Sequence, residues 1–228
     1  MQKAVATYPI QSVPYVDPTQ ANTVREADVV VRFGNQLCMS GDSWYLAAVI
    51  ECKSPTTKPW AALMVPDKVT GFAALLGRTD SADEESWGRL INAWGGFVPF
   101  SEAASADALV SVHEDQKSDY NTAASALRQA MSAVYGIDEQ FDPATQERDL
   151  QIGGELVITL PVLVTAGELY GARLDPSGEV RVEDVPHVFV KTPLPGGRSV
   201  GYVHVMTFDF FAASFAPDLG KIRRTQVF

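Results

Sequence analysis

The sequence ADVVVRFGNQLCMSGDSWYLAAVIECK, residues 27–53, is the stretch that decides the fold. Two apolar runs, rich in β-branched and aromatic residues, stand on either side of a polar loop bounded by glycines. This arrangement predicts a β-hairpin. Both strands also carry charge where a core strand would not: Asp28 in the first strand, and Glu51 and Lys53 at the end of the second.

The length of the loop predicts how the two strands pair. With a loop over residues 34–41, Asp28 lies opposite Val49. Side chains alternate between the faces of a strand, so Glu51 and Lys53 share a face with Val49, and Asp28 joins them. Asp28 and Glu51 are then diagonal neighbours, about 7 Å apart at Cα. A slip of one residue would put them on opposite faces.

Two carboxylates and a lysine on one face suit metal-assisted hydrolysis of a phosphate ester. Asp28 and Glu51 can share a hard cation such as Mg²⁺ (or Mn²⁺), and Mg²⁺ in proteins binds one or two carboxylates and keeps several waters. Such a cation acidifies a bound water and stabilises charge on a phosphate. Lys53 can hold that water or offset the charge. The Cys52 carbonyl is a further candidate metal ligand, while the Cys52 side chain is expected to face the core.

The segments READVVV (residues 25–31) and VIECK (residues 49–53) resemble the PD-(D/E)XK nuclease superfamily, which has the restriction-endonuclease-like fold. Asp28 matches the strand aspartate of the family, and Glu51 and Lys53 match its E-x-K. The resemblance implies a Mg²⁺-dependent endonuclease that hydrolyses phosphodiester bonds in nucleic acid, DNA by default. Asp28, Glu51 and Lys53 would be its catalytic residues.

Two other hypotheses stay open at this point. One is an inactive relative of the same fold that acts as a binding or assembly module. The other is an unrelated β-rich domain in which the E-x-K is a coincidence, and it predicts that Asp28 lies far from Glu51.

The rest of the chain predicts an α/β (α+β) fold with a mixed central β-sheet. Apolar residues at helical spacing predict one main packing helix at 118–135, with Gly136 as its stop. The apolar run that begins at residue 155 would be the last strand of an α-β-β-β-α-β core, beside the catalytic strand. Residues 60–117 are then an insertion, and they include a second predicted helix at 81–94.

The N-terminus has no room for the first helix of that core. Alternation over residues 4–8 and 10–16 predicts a strand, and the prolines that interrupt it, Pro9 and Pro14, indicate an edge strand or a bulge. Either the chain is a shortened version of that core, or the sheet face left bare is covered by residues 60–117, by a homodimer or by another partner chain. No linker divides the chain, so residues 1–228 are predicted to be a single domain.

The composition limits the function classes. The 228 residues carry a net charge of −10, which argues against broad, nonspecific nucleic-acid binding. No apolar run has the length of a membrane span, and no signal-peptide pattern is present, so we predict no membrane association. Two cysteines far apart on the hairpin favour reduced thiols and a cytoplasmic protein. No Walker A motif, G-x-S-x-G motif or zinc-ligand spacing of histidines occurs.

Overall fold

The computed structural model describes residues 10–20, 23–36, 43–54, 59–74, 76–78, 88, 91–112, 120–140, 155–195 and 200–222. These ranges contain eleven β-strands and two long helical segments. The strands are β1 (Ile10–Val16), β2 (Val24–Gln36), β3 (Ser43–Lys53), β4 (Trp60–Thr70), β5 (Leu76–Arg78), β6 (Glu102–Ser111), β7 (Glu155–Thr165), β8 (Leu169–Leu174), β9 (Val180–Asp184), β10 (His187–Pro193) and β11 (Val200–Thr207).

The helical segments are α1 (Tyr120–Gln140) and a C-terminal segment that we call α2. It starts as an α-helix at Phe208–Phe210, passes through a π-helical turn at Phe211–Phe215 and ends as an α-helix at Ala216–Ile222. The side chain of Thr207 caps its first turn by accepting a hydrogen bond from the backbone N–H of Phe210.

All eleven strands belong to one mixed sheet, which confirms the mixed α/β class. Ten of them follow one another in the order β1-β2-β3-β7-β11-β10-β6-β4-β8-β9, and β5 pairs with β7. The first three are antiparallel, as expected for a hairpin with an edge strand before it. Strand β7 then pairs in parallel with β3 on one side and with β11 on the other.

The hairpin of β2 and β3 forms as predicted, but its register differs by two residues. Val30, rather than Asp28, lies opposite Val49. The strands stay paired as far as Gln36 and Ser43, so the connection is shorter than the predicted loop at 34–41. A shift of two residues preserves the faces of the strands, because side chains alternate with a period of two.

Helix α1 packs on one face of the sheet, as its apolar stripe predicts, and it continues past the expected stop. Gly136 lies inside the helix, not at its end. A Cβ at this position would lie 2.5 Å from the ring of Tyr15 and 2.6 Å from the carbonyl of Val16. The glycine therefore permits close contact between helix and edge strand, which local sequence signals do not reveal.

The opposite face of the sheet is covered by residues 91–100 and by α2, all from the same chain. Trp94 and Phe100 stack with ring centroids 5.2 Å apart, and both are buried against strand residues of β3 and β7. Phe215 and Leu219 of α2 join the same cluster. Residues 91–100, which lie within the predicted insertion at 60–117, therefore cover this face together with α2, and nothing in the described part of the chain supports a partner chain there.

The segment predicted to be an insertion, residues 60–117, contributes to the same sheet. Its strands β4 and β6 pair with each other over most of their length, and β6 also pairs with β10. Of the helix predicted at 81–94, residues 88 and 91–94 are helical and the rest lies outside the described residues. None of the helices in the described ranges is long and apolar enough to cross a membrane.

Candidate functional site

Asp28, Glu51 and Lys53 come together where β2 and β3 part. The last backbone pair of the hairpin on this side is Val29 with Ile50. Beyond it, the backbone N–H of Cys52 donates a hydrogen bond of 2.7 Å to Oδ2 of Asp28. A carboxylate thus takes the position of a backbone acceptor, which fixes the Asp28 side chain beside β3.

Glu51 is the most unusual residue of the site. Its side chain is 0% exposed, and its Oε1 atom has no hydrogen-bond partner among the described residues. Burial raises the pKa of Glu51 to about 7 from an ordinary 4.5. The charge of Asp28, and hydrogen bonding between the two carboxyl groups, raise the pKa further, while Lys53 opposes the shift. The two carboxyl groups are therefore close neighbours.

Lys53 connects this carboxyl pair to helix α1. Its Nζ atom lies 3.5 Å from Oε2 of Glu51 and donates a hydrogen bond of 3.0 Å to Oε1 of Gln129. The Lys53 side chain remains 29% exposed, so solvent reaches it. An ammonium group has three donors, and its contacts with described residues use two of them.

Cys52 does not face the core as the sequence predicts, because its side chain is exposed. Partial desolvation raises the pKa of its thiol, and the charges of Asp28 and Glu51 raise it further. This environment does not favour a reactive thiolate. In a strand, the N–H and C=O of one residue point to the same side. The Cys52 carbonyl is therefore directed toward the Asp28 side of β3.

Tyr15 of β1 is a neighbour that the sequence did not single out. Its ring is buried, and its hydroxyl has no hydrogen-bond partner within the described ranges. Burial raises the pKa of this hydroxyl, and the negative charges of Glu51 and Asp17 add to the effect. The phenol is therefore a neutral donor near the carboxyl pair.

The protein supplies only some of the ligands that a hard cation needs at this site. No group of three or more His, Cys, Asp or Glu side chains that could hold a metal occurs in the described part of the chain. Mg²⁺, however, needs only one or two protein carboxylates and keeps its remaining waters. Asp28 and Glu51 supply that number, and Glu51 Oε1 is a buried acceptor without a partner. The donor set is thus compatible with Mg²⁺ or Mn²⁺.

A cavity of about 340 Å³ opens on the Gln129 side of the site. Its lining includes two arginines, Arg25 and Arg128, together with the polar side chains of Ser125 and Gln129. The Nε atom of Arg25 lies 2.5 Å from Oδ2 of Asp17, and the Asp17 carboxylate also accepts hydrogen bonds from Thr19. The cavity thus places cationic groups next to the residue that contacts Lys53.

A second polar pair lies outside this site. His187 Nδ1 and His204 Nε2 are 2.9 Å apart on the neighbouring strands β10 and β11. Burial lowers the pKa of both rings, most strongly for His204. His204 contacts Phe189 and Phe215, and His187 stacks on Phe210. The two histidines therefore have a structural role, because their rings pack α2 against the sheet.

Comparison with protein-family models, with curated proteins and with solved structures finds no match for this chain. Function therefore has to be argued from the site itself.

Proposed function

We propose that the protein is a metal-dependent nuclease that hydrolyses phosphodiester bonds in nucleic acid, with DNA as the default substrate. The observation that carries the proposal is the Glu51 carboxyl, buried beside Asp28 with one oxygen unpartnered, and with a lysine 3.5 Å away. An ion pair between Glu51 and Lys53 does not need a second carboxylate beside it, and the charge of Asp28 disfavours ionisation of Glu51.

Asp28, Glu51 and the Cys52 carbonyl are the proposed metal ligands. A bound Mg²⁺ or Mn²⁺ would supply an acidified water and stabilise charge on the phosphate. The Cys52 N–H holds Asp28 in place through the 2.7 Å hydrogen bond. Glu51 has to lose its proton to bind a cation, and its pKa of about 7 makes this possible near neutral pH.

Lys53 is the proposed electrostatic group. Its contact with Gln129 keeps the ammonium at the mouth of the site instead of free in solvent. There it can orient the attacking water or offset the charge that develops on the phosphate. Arg25 and Arg128 in the adjacent cavity are suited to neighbouring phosphates of the strand, despite the acidic charge of the whole chain.

The order of elements supports the same proposal. The resemblance predicts three strands, then a helix, then a last strand beside the one with the E-x-K. Strands β1 to β3, helix α1 and strand β7 follow this order, and β7 pairs with β3 from Ser43–Glu155 to Lys53–Thr165. Fold similarity alone does not define function, so the test has to address the site.

The test is cleavage of plasmid, single-stranded DNA and RNA with Mg²⁺ or Mn²⁺, together with calorimetric titration of Mn²⁺. We expect metal-dependent cleavage by the natural sequence. Lys53→Met should reduce the rate by about 10²–10³-fold, as for loss of one transition-state donor, and should still bind Mn²⁺. Asp28→Asn should lose both cleavage and Mn²⁺ binding.

Matched controls are available on the β4–β6 side of the sheet. Lys68 and Asp107 are exposed and form ion pairs with Glu102 and Lys191. Lys68→Met and Asp107→Asn should therefore cleave like the natural sequence. If the natural sequence cleaves no substrate and binds no Mn²⁺, the nuclease proposal is wrong.

A specific observation favours the competing function of a non-catalytic binding module. Glu51 is fully buried and Lys53 approaches it from the solvent side, as in a structural ion pair. In that case Mn²⁺ binding and cleavage are both absent, yet Lys53→Met lowers stability. The same two measurements therefore separate the two functions.

A further inference from the structure

Strand β9 is an exposed end of the sheet within the described part of the chain. It pairs with β8 and with no other described strand, and all five of its residues are exposed. An edge strand presents backbone N–H and C=O groups that another strand can bind. Two features of β9 determine which strand fits: the direction of these groups and the charges that lie between them.

The hydrogen bonds to β8 determine which residues of β9 point outward. Glu179 accepts a bond of 2.9 Å from the N–H of Asp175, and Val185 donates one of 3.0 Å to Leu169. Backbone direction alternates along an antiparallel strand, so odd-numbered residues here point toward β8. The residues whose N–H and C=O point away from the sheet are therefore Val180, Val182 and Asp184.

We propose that β9 pairs with β9 of a second copy of this chain, antiparallel, about a two-fold axis at Val182. In this register Val182 faces Val182 of the second copy, and Val180 faces Asp184. Each of these facing residues has its backbone groups directed outward, so each pair can exchange two hydrogen bonds. The pairing joins two sheets into one across the axis.

The charges of β9 favour this register over its neighbours. Arg181 and Glu183 lie on either side of Val182 and point to the same face of the strand. With the axis at Val182, Arg181 lies directly opposite Glu183 of the second copy, twice by symmetry. With the axis at Arg181 or at Glu183, two like charges would lie opposite each other, which is destabilising.

Both charged residues of this face also have a partner of opposite charge within one chain. Arg181 lies 3.0 Å from Asp175, and Glu183 lies 3.7 Å from Arg173, but Arg173 also lies directly opposite Arg181. Glu183 of the second copy would lie on the other side of Arg181 and would offset these two like charges.

The other face carries a row of apolar side chains that reaches the edge. Leu63, Ala172 and Val182 lie side by side on β4, β8 and β9. Leu63 is 45% exposed and Val182 is 61% exposed. In the proposed dimer this row continues into the same three residues of the second copy. Contiguous exposed apolar side chains are typical of interaction surfaces, whereas single exposed apolar residues are common on any protein surface.

A second copy is the occupant that these observations specify. A two-fold interface has to be complementary to itself, because the same residues lie on both sides. The sequence Val-Arg-Val-Glu-Asp of β9 meets this requirement in backbone direction and in charge. If its charges instead served only to keep the edge free of other strands, the protein would be a monomer.

The test is sedimentation velocity of the full chain over a wide concentration range. We expect a reversible dimer with twice the mass of one chain. Arg181→Glu and Glu183→Arg should each weaken dimerisation by about tenfold, because each change acts twice across the axis. An equimolar mixture of the two variants should recover the dimer, since the reversed charges are then complementary.

Two further variants keep the test independent of folding defects. Val182→Pro removes an N–H that points outward, so it should abolish the dimer without removing a bond to β8. Lys68→Glu, a charge reversal on exposed β4, should leave the dimer intact. A natural sequence that remains monomeric at all concentrations overturns the proposal, as does a mixture of the charge variants that fails to associate.

Discussion

Burial of an acid at residue 51 costs free energy unless the carboxyl group is paired or protonated. Glu51 lies in a row of apolar residues on β3, between Val49, which is buried, and Lys53, which is partly exposed. An ionised carboxylate in such a place has to be paired or to bind a cation, or else it keeps its proton. Its raised pKa indicates that Glu51 keeps its proton to a higher pH than an exposed glutamate does.

Replacement of Glu51 by glutamine should therefore stabilise the protein without metal. Between about pH 4.5 and 7 the unfolded chain releases the Glu51 proton while the folded chain keeps it, so stability falls as pH rises through this window. At pH 8 we expect Glu51→Gln to gain about 1–3 kcal/mol over the natural sequence. The gain should vanish near pH 4.5.

The measurement is urea unfolding in EDTA at pH 4.5, 6 and 8. If Glu51→Gln changes the free energy of unfolding by the same amount at all three pH values, Glu51 does not titrate in this range. Excess Mn²⁺ at pH 8 should stabilise the natural sequence but not the glutamine variant, because only the native carboxylate binds the ion.

At this scale the sequence predicted that Asp28, Glu51 and Lys53 lie together, but it did not predict their surroundings. The E-x-K spacing and the strand alternation are local, so a register error of two residues left Asp28 on the correct face. Gln129 is 76 residues from Lys53, and nothing in its own helix distinguishes it from a surface glutamine. The exposure of Cys52 was missed because β2 and β3 part just before it.

Among the elements, helix α1 shows how a tertiary contact can override a local signal. A glycine after an apolar stripe usually ends a helix, and residues 118–135 were predicted on that basis. The helix instead runs to Gln140, and Gly136 lies against β1. The periodicity of apolar residues thus predicted the helix itself. Its end could not be predicted, because it depends on contact with β1, which is distant in the sequence.

Gly136→Ala should destabilise the protein, because the carbonyl of Val16 lies 2.6 Å from the new Cβ and a backbone atom cannot move aside. We expect a loss of about 1–3 kcal/mol, typical of overpacking. Gly220 in α2 is the matched control, since a Cβ there meets nothing within 4 Å.

Gly220→Ala should gain about 0.5–1 kcal/mol from better helix propensity. Chemical denaturation at one pH would measure the change in the free energy of unfolding for both variants. Equal effects of the two alanines would mean that helix α1 does not pack closely on β1.

On the scale of the whole molecule, α2 and residues 91–100 hold each other on the face opposite α1. Asp218 connects them: its Oδ2 accepts a hydrogen bond of 2.9 Å from the N–H of Val98, and its Oδ1 accepts one of 2.6 Å from Lys221. Burial would raise the pKa of Asp218, but these hydrogen bonds outweigh it and hold the pKa below its usual value.

Asp218→Ala should cost about 1–3 kcal/mol, because it leaves the N–H of Val98 without its acceptor. The loss should shrink at acid pH, since a lowered pKa gives stability that is present above the unfolded value and lost as pH falls. Asp107→Ala, on the exposed surface, should change stability by no more than about 0.5 kcal/mol. A loss independent of pH would show that the Asp218 charge is not involved.

The order of strands could not be predicted beyond the first three and the pairing implied by the resemblance. Strand β10 lies between β11 and β6, although β6 precedes it by about 80 residues. Such pairings are decided by packing across the whole sheet. For the same reason, the contact between His187 and His204 could not be predicted from the local sequence.

The position of β7 at the centre of the sheet also has a consequence for synthesis of the protein. Strand β3 leaves the ribosome about 100 residues before β7, its parallel neighbour. At about 5–20 residues per second, the nascent hairpin waits roughly 5–20 s with one apolar strand uncovered. Slowed translation after residue 53 should prolong this interval, and chaperones that bind extended apolar segments would find their target there.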